Sequence, residues 1–148
     1  MAVTAPQSYR DELFGANPSR MVVMLYDEIL EALDLAVDCI EKDDITGRCN
    51  AVTIAIELIT TLYLTLDMKN GGKVAENLGN IYGYLLKSLP QVNIANDPAT
   101  AQQAIALLKP LRQSWSTLDD ELSAAAQDGI LGAFSARKQA AENARDVA

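Results

Sequence analysis

Residues 66–86, L-D-M-K-N-G-G-K-V-A-E-N-L-G-N-I-Y-G-Y-L-L, join two apolar segments through a polar turn that contains two adjacent glycines. After the turn, large apolar residues recur at steps of three and four, which is the spacing of a helix with one buried face. These residues are Val74, Leu78, Ile81, Tyr82, Leu85 and Leu89. The pattern predicts a helix that starts at about Gly72, and the turn before it fixes where that helix begins.

The turn itself predicts a structural role for three of its residues. We expect Asp67 to accept backbone amide hydrogen bonds at the start of the following helix. We expect Gly71 or Gly72 to adopt a backbone conformation that other residues resist. Together these residues would set the angle between the helices on either side of the turn.

Two glycines lie within the predicted helix, four residues apart and therefore on one line of its surface. A glycine inside a helix costs about 1 kcal/mol relative to alanine. Gly79 and Gly83 therefore indicate that something packs close to this backbone. The neighbour is either another helix of the same chain or a partner segment that lies in a groove.

Composition favours one all-α domain. The chain has 148 residues, of which 49% are hydrophobic and only 5% aromatic, a balance that suits a helical bundle. Its net charge is −8 and it has no Lys/Arg cluster, which argues against a nucleic-acid partner. The longest apolar stretch, 51–66, falls short of the roughly 20 residues that cross a bilayer. With no signal-peptide pattern at the start, we predict a cytoplasmic protein that does not insert into membranes.

Capping residues and prolines divide the chain into an antiparallel up-down four-helix bundle. Asn17-Pro18 begins the first helix and Asp43-Asp44 caps the second, while Asp97-Pro98 opens the fourth. Pro90 should bend or end the third helix, and Pro110 should kink the fourth near Ala106. The predicted helices span about 18–42, 45–66, 72–94 and 98–126. A leader, 1–16, would pack on this bundle, 17–126, and residues 127–148 would form a flexible tail.

The second predicted helix carries more apolar surface than one neighbouring helix can bury. One apolar line includes Val52, Ile56 and Ile59, and a second line on a different side contains Ile54, Leu58 and Leu62. A helix that is apolar on more than one face is either central or covered by something else. This surplus is a second indication of a partner.

Catalytic and metal-binding patterns are missing from the sequence. There is no histidine, which excludes histidine-ligated di-iron bundles and histidine phosphotransfer. No zinc-ligand spacing or phosphate-binding loop occurs, and the acidic residues of the first helix fit a solvated face. Cys39 and Cys49 fit small buried hydrophobic residues, with a bond between adjacent helices as the alternative. We therefore predict a protein that is not an enzyme and has no metal or other cofactor.

Several stretches of the sequence resemble the flagellar secretion chaperone family FliS. They are Pro18-Ser19, Met24-Leu25-Tyr26-Asp27, the run L-D-M-K-N-G-G-K-V-A-E-N-L at 66–78, Ile81-Tyr82, and 93–98 followed by Leu111 and Trp115. The run at 66–78 is the most specific of them, and the resemblance covers roughly residues 9–118. The sequence departs from the family pattern at Glu28, where a glycine is usual, and at Pro110.

The resemblance implies a chaperone that binds the disordered carboxyl-terminal segment of newly made flagellin. Such binding would prevent premature polymerisation and keep flagellin competent for flagellar type III export, with the export gate as a further candidate partner. The surplus apolar residues and the resemblance together give a predicted flagellin groove. Its residues are Tyr9, Leu13, Phe14, Leu25, Tyr26, Leu58, Leu62, Ala75, Leu78, Ile81 and Tyr82.

The sequence leaves three questions open: the alternative functions, the oligomeric state and the role of the leader. A homodimeric helical bundle with no flagellin ligand would show the same surplus apolar surface, and a carboxylate bundle that binds a metal is a second alternative. We expect a monomer or a weak homodimer. The apolar leader residues Tyr9, Leu13 and Phe14 suggest a plug that flagellin displaces from the groove; alternatively, Tyr9 contacts flagellin or the export gate directly.

Overall fold

Five α-helices make up the part of the chain that the computed structural model describes, residues 18–146, with side chains described outside 126–137 and 145–146. The helices are α1 (Pro18–Glu41), α2 (Ile45–Thr65), α3 (Gly72–Ser88), α4 (Pro90–Ala95) and α5 (Pro98–Asp146). The predicted all-α class is confirmed, and residues 18–146 contain no strand. None of the helices in this range combines the length and apolar character needed to cross a membrane.

The connection between α1 and α2 is short because both helix ends are capped locally. Asp43 has a left-handed backbone, with φ of 54°, and the amide of Asp44 donates to the Cys39 carbonyl at 2.8 Å. The carboxylate of Asp44 then accepts from the Gly47 amide at 2.9 Å, which caps α2. The predicted cap is confirmed, and the two helices turn back on each other. Cys39 is buried, Cys49 is half-buried, and both thiols are free.

Pro90 divides the predicted third helix into two. Helix α3 ends at Ser88 and the six-residue α4 begins at Pro90, with Leu89 between them in helical backbone conformation. Proline has no N–H to donate to the preceding turn, so the helical hydrogen-bond ladder is interrupted there. The predicted effect of Pro90 is confirmed. Helix α4 then ends at Asn96, whose left-handed backbone, with φ of 50°, turns the chain into α5.

Helix α5 continues past its predicted end at about residue 126 and reaches Asp146. Residues 123–146 are rich in alanine, the residue with the highest helix propensity, which favours this extension. Side chains 138–144 are all exposed, so this part of the helix does not pack on the bundle. Pro110 lies inside α5, and the kink near Ala106 and the flexibility of 127–148 stay predictions.

The packing order of the helices leaves one side of the bundle open. Helix α1 lies between α2 and α5, α3 packs on α2, and α4 contacts α2, α3 and α5. Within residues 18–146, α3 is not closely packed along α5. The core cluster is Tyr26, Ile29, Ala32, Leu33, Ala36, Ala51, Val52, Ala55, Ile59, Leu62, Leu78, Tyr82, Leu85, Leu89, Val92, Ala101, Ala104 and Leu108.

Two polar contacts hold α1 against α5. Arg112 donates two hydrogen bonds to the carboxylate of Asp27, from Nε at 2.7 Å and from Nη2 at 3.2 Å. Ser19 donates from its hydroxyl to the Asp119 carboxylate at 3.0 Å. These contacts fix the position of α5 along α1.

Candidate functional site

An apolar pocket of about 200 Å³ lies where the turn between α2 and α3 meets the first part of α1 and the middle of α5. Four helices and the turn contribute to it, so it exists only in the folded bundle. Its lining is apolar apart from Thr65, Asp67 and the tyrosine and tryptophan polar atoms. The lining residues are Val22, Leu62, Thr65, Leu66, Asp67, Gly71, Val74, Ala75, Leu78, Tyr82 and Trp115.

The rim of the pocket is shaped by the turn at residues 67–72. Asp67 Oδ1 accepts from the Asn70 amide at 3.0 Å and from the Lys69 amide at 3.2 Å, and Oδ2 accepts from the Asn70 side chain at 3.1 Å. These bonds, with the Asn70 amide contributing most, hold the pKa of the Asp67 carboxyl below its usual value. The expected hydrogen bonds are present, but they close the turn itself and do not cap α3, whose N-cap is Gly71.

Both glycines of the turn are required by its geometry. Gly72 has a φ of +56°, the left-handed conformation that the sequence predicted for one of the pair. A Cβ atom on Gly71 would lie 2.5 Å from the Asp67 carbonyl oxygen and 2.5 Å from the Ala75 Cβ. A larger residue at position 71 would therefore push the turn away from α3.

The wall that α3 contributes is partly buried and partly open to solvent. Ala75, Leu78 and Tyr82 are buried, whereas 67% of Val74 is exposed. Val74 is therefore the lining residue of this wall that an incoming segment meets without any rearrangement. On α5, below Trp115, Leu118 and Leu122 continue an apolar edge and are 39% and 50% exposed.

Beneath the pocket, two tyrosine hydroxyls form a buried pair. The hydroxyl oxygens of Tyr26 and Tyr82 are 2.6 Å apart, and the ring centroids are 6.5 Å apart in a tilted arrangement. Burial raises the pKa of both phenols, since a phenolate would lose its hydration there. Hydrogen bonding by Tyr82 and Trp115 partly offsets the rise in the pKa of Tyr26.

The structure brings together some of the predicted groove residues and separates others. Leu62, Ala75, Leu78 and Tyr82 line the pocket, beside Asp67 and Gly71 of the predicted structural turn. Tyr26 is fully buried and does not border the pocket. Residues Leu25, Leu58 and Ile81 are half-buried and pack against the core outside the pocket lining. Residues Tyr9, Leu13 and Phe14, and with them the plug hypothesis, lie outside the described residues.

Sequence analysis did not assign four of the large apolar lining residues to the groove: Val22, Leu66, Val74 and Trp115. Each belongs to an apolar helical stripe, and a stripe does not show which of its members lies at an open edge. The feature of the sequence that could have identified them is the position of each residue along its helix. All four lie near the turn between α2 and α3 or at the helix levels that face it.

Among the residues that the structure describes, no helix packs closely beside Gly79 and Gly83 of α3. A Cβ atom on Gly79 would meet Leu66 at 3.6 Å and Met68 at 3.9 Å, which are ordinary contacts, and a Cβ on Gly83 would meet nothing within 4 Å. The described part of the chain therefore does not explain these glycines by internal packing. A partner segment on this line stays a prediction.

The pocket offers binding rather than reaction chemistry. Its titratable groups are Asp67, whose carboxylate oxygens are occupied by the turn, and Tyr82, whose burial favours the neutral phenol. Across the described residues, no group of three or more acidic or cysteine side chains is placed to hold a metal ion. An open apolar pocket with a buried hydroxyl pair can accept the side chains of a polypeptide segment.

The fold and the pocket define a helical bundle with an open apolar pocket. Comparison with known proteins identifies its family. The model of the family "Flagellar protein FliS" matches residues 1–122, and the chain belongs to this family. It is similar to the flagellar secretion chaperone FliS of Salmonella typhimurium, 29% identical over 120 residues, which cover 80% of this chain and 89% of the relative. It is also similar to the flagellar secretion chaperone FliSB of Pseudomonas aeruginosa, 31% identical over 108 residues, covering 73% and 86%.

Proposed function

We propose that this protein is a cytoplasmic flagellar secretion chaperone whose apolar pocket binds the disordered carboxyl-terminal segment of flagellin. In this role it keeps flagellin from polymerising early and keeps it competent for type III export through the flagellar apparatus. Membership of the FliS family supports the chaperone role. The observation that carries the assignment of the site is the open pocket between α3 and α5, bordered by the exposed Val74.

The size of the pocket favours a long segment over a small molecule. Its volume of about 200 Å³ is smaller than the roughly 300–1,000 Å³ typical of pockets that enclose small ligands. A pocket of this size holds one or two side chains, and the exposed Leu118 and Leu122 continue the apolar surface beyond it. A polypeptide that places one anchor in the pocket and others along α5 matches this shape.

The energetics allow reversible binding. Burying one Leu, Ile or Phe side chain contributes about 1.5–3 kcal/mol, so about six anchors contribute roughly 9–18 kcal/mol. Ordering a disordered segment costs about 2–5 kcal/mol or more. The difference is compatible with micromolar or tighter affinity, which needs about 8 kcal/mol. Because the energy is spread over several anchors, export could detach the segment one anchor at a time.

The test is a charge placed on the exposed wall of the pocket. Val74→Asp should lower the affinity for flagellin by about tenfold or more, because the new carboxylate would lose its hydration against apolar anchors. The unfolding free energy should change by less than about 0.5 kcal/mol, since 67% of Val74 is exposed. Affinity would be measured by isothermal titration calorimetry and stability by chemical denaturation.

Tyr84→Asp is the matched control, because Tyr84 lies on the same helix, is 56% exposed and does not line the pocket. It should bind flagellin with unchanged affinity. Flagellin that lacks its carboxyl-terminal segment should not bind either variant or the unmodified protein. A stable dimer that ignores flagellin would contradict the proposed function and favour the homodimeric alternative. Equal affinities of Val74→Asp and Tyr84→Asp would remove the pocket from the binding site.

A further inference from the structure

Tyr26 and Tyr82 form a buried pair with two hydroxyl protons but only one hydrogen bond between them. Within the described residues, the second proton has no acceptor. The two oxygens, 2.6 Å apart, share one hydrogen bond, in which one hydroxyl donates and the other accepts. Whichever hydroxyl accepts, its own proton still needs an acceptor. Trp115 cannot supply one, because an indole N–H only donates. Within residues 18–146, the only acceptor within hydrogen-bond distance of either hydroxyl is the other member of the pair.

The spare proton matters because both tyrosines are removed from solvent. Tyr26 is 0% exposed and Tyr82 is 1% exposed, so bulk water does not satisfy the second donor. Buried donors in proteins almost always have a partner. Of the two residues, only Tyr82 lines the pocket. A group that enters the pocket therefore meets Tyr82 and not Tyr26.

We propose that Tyr82 donates its hydroxyl hydrogen bond to a side-chain oxygen of the flagellin segment, while Tyr26 donates to Tyr82. This inference rests on the proposed function and adds a requirement on the partner. The segment must carry an amide or hydroxyl side chain, as in Asn, Gln, Ser or Thr, among its apolar anchors. A side chain is required where the segment is helical, because the backbone carbonyls of a helix are already bonded within it. A wholly apolar anchor would leave a buried donor unpaired and would bind less well.

Two isosteric variants test this asymmetry. Tyr82→Phe and Tyr26→Phe each remove one hydroxyl and break the hydrogen bond between them. Tyr26→Phe also removes the acceptor of the Trp115 indole N–H, so it should cost at least as much stability as Tyr82→Phe. Only Tyr82→Phe removes the group that reaches the segment. We expect Tyr82→Phe to weaken flagellin binding about three- to tenfold. Tyr26→Phe should bind at least about threefold more tightly than Tyr82→Phe, because Tyr82 keeps its proton for the segment.

The partner supplies a second test that does not depend on the folding of either variant. Each polar residue of the carboxyl-terminal flagellin segment would be replaced in turn by an apolar residue of similar shape, such as Thr→Val or Asn→Leu. One replacement should lower affinity for the unmodified chaperone about three- to tenfold and leave affinity for Tyr82→Phe unchanged, the signature of a direct pair in a double-mutant cycle.

The outcomes separate this inference from the function on which it rests. If the unmodified protein does not bind flagellin, the proposed function fails. If it binds, but Tyr26→Phe and Tyr82→Phe lose affinity equally, the hydroxyl pair is structural and the inference is overturned. The same conclusion follows if no replacement in the segment distinguishes the unmodified protein from Tyr82→Phe.

Discussion

Helix α2 begins beside a polar cluster in which the buried groups have partners, and it ends, about 30 Å away, beside an apolar pocket that is open. At the first end, Arg48 is only 7% exposed. Its Nε donates to the Asn93 side-chain oxygen at 3.2 Å, its Nη1 donates to the Asn96 side-chain oxygen, and its Nη2 lies 3.7 Å from the Cys49 sulfur. We call this group the Arg48 cluster. At the second end, the tyrosine pair lies under a pocket that the described chain leaves unfilled.

Under the proposed function, the difference assigns stability to one end of the bundle and binding to the other. The Arg48 cluster joins α2 to α4 and to Asn96 at the end of α4, so it holds the part of the bundle that Pro90 interrupts. At the pocket end, Ser19 and Asp119 join α1 to α5, but α3 and α5 are not closely packed together within the described residues. An opening there exposes apolar surface that a partner can cover. Variants at the two ends should therefore affect different measurements.

The largest expected effect is at the Arg48 cluster. Arg48→Ala would remove the hydrogen bonds that the buried guanidinium donates to the half-buried Asn93 and to the exposed Asn96. We expect the unfolding free energy to fall by about 2–3 kcal/mol, since a hydrogen bond from a charged donor contributes about 1.5–3 kcal/mol when buried and water replaces part of the loss at the exposed Asn96. Chemical denaturation measures this loss. Flagellin affinity should stay unchanged under conditions where the variant is folded.

Arg48→Lys separates the charge from the geometry of this cluster. Lysine keeps the charge but cannot direct two nitrogen atoms to two different acceptors as the planar guanidinium does. Less than half of the lost stability should therefore return. If Arg48→Ala unfolds at the same denaturant concentration as the unmodified protein, the Arg48 cluster does not stabilise the bundle, and the contrast with the pocket end does not hold.

Periodicity and caps predicted the fold because they act locally. The cap at Asp44, the helix start at Pro18 and the break at Pro90 each depend on neighbouring residues, and all three are found. The Arg48 cluster could not be predicted in this way, because Arg48 and Asn96 are far apart in sequence and meet only when α4 packs on α2.

The candidate site was predictable only in part for the same reason. The apolar stripe of α3 identified Leu78 and Tyr82, but a stripe does not distinguish a buried residue from one at an open edge, such as Val74. The end of α5 shows a different limit. Alanine-rich sequence permits a helix without any packing, so the absence of core residues after 126 did not reveal that the helix continues to Asp146.

A smaller effect is expected from the glycines of α3, and it sharpens the assignment of the pocket end. Gly72→Ala forces a side chain into a backbone with φ of +56° and should lower the unfolding free energy by about 1–2 kcal/mol. Gly83→Ala is the matched control, because its Cβ would meet nothing within 4 Å. It should raise the unfolding free energy by up to about 1 kcal/mol, since alanine favours the helix.

Flagellin affinity of the Gly83→Ala variant then locates the partner on α3. Gly83 does not line the pocket, so the affinity should stay the same within about twofold. A clear loss of affinity, with the expected gain in stability, would show that the segment also crosses the glycine line. Titration calorimetry on the two variants, beside thermal melting, gives both quantities.

The smallest effect is expected at Asp67, where the hydrogen bonds lie on an exposed turn. Asp67→Ala should lower the denaturation midpoint slightly at pH 7, and flagellin affinity should change only through the position of α3. The turn lowers the pKa of Asp67 in the folded protein, so the ionised carboxylate is the form that stabilises the fold. Its contribution is complete above the unfolded pKa of about 3.9 and is lost as the pH falls through the lower folded value.

The pH dependence therefore distinguishes loss of the Asp67 carboxylate from a packing defect, because a packing defect would lower the midpoint equally at every pH. The difference in midpoint between the unmodified protein and Asp67→Ala should be constant from pH 7 to pH 5 and should shrink as the pH falls below about 4. Asp67→Asn is the control, because an amide oxygen can still accept the Asn70 amide but does not titrate. It should retain part of the stability at all pH values. A midpoint difference for Asp67→Ala that does not vary with pH would indicate a packing defect and contradict the role of the ionised carboxylate. A large loss of flagellin affinity with an unchanged midpoint would make Asp67 a direct contact of the segment and not a support of the rim.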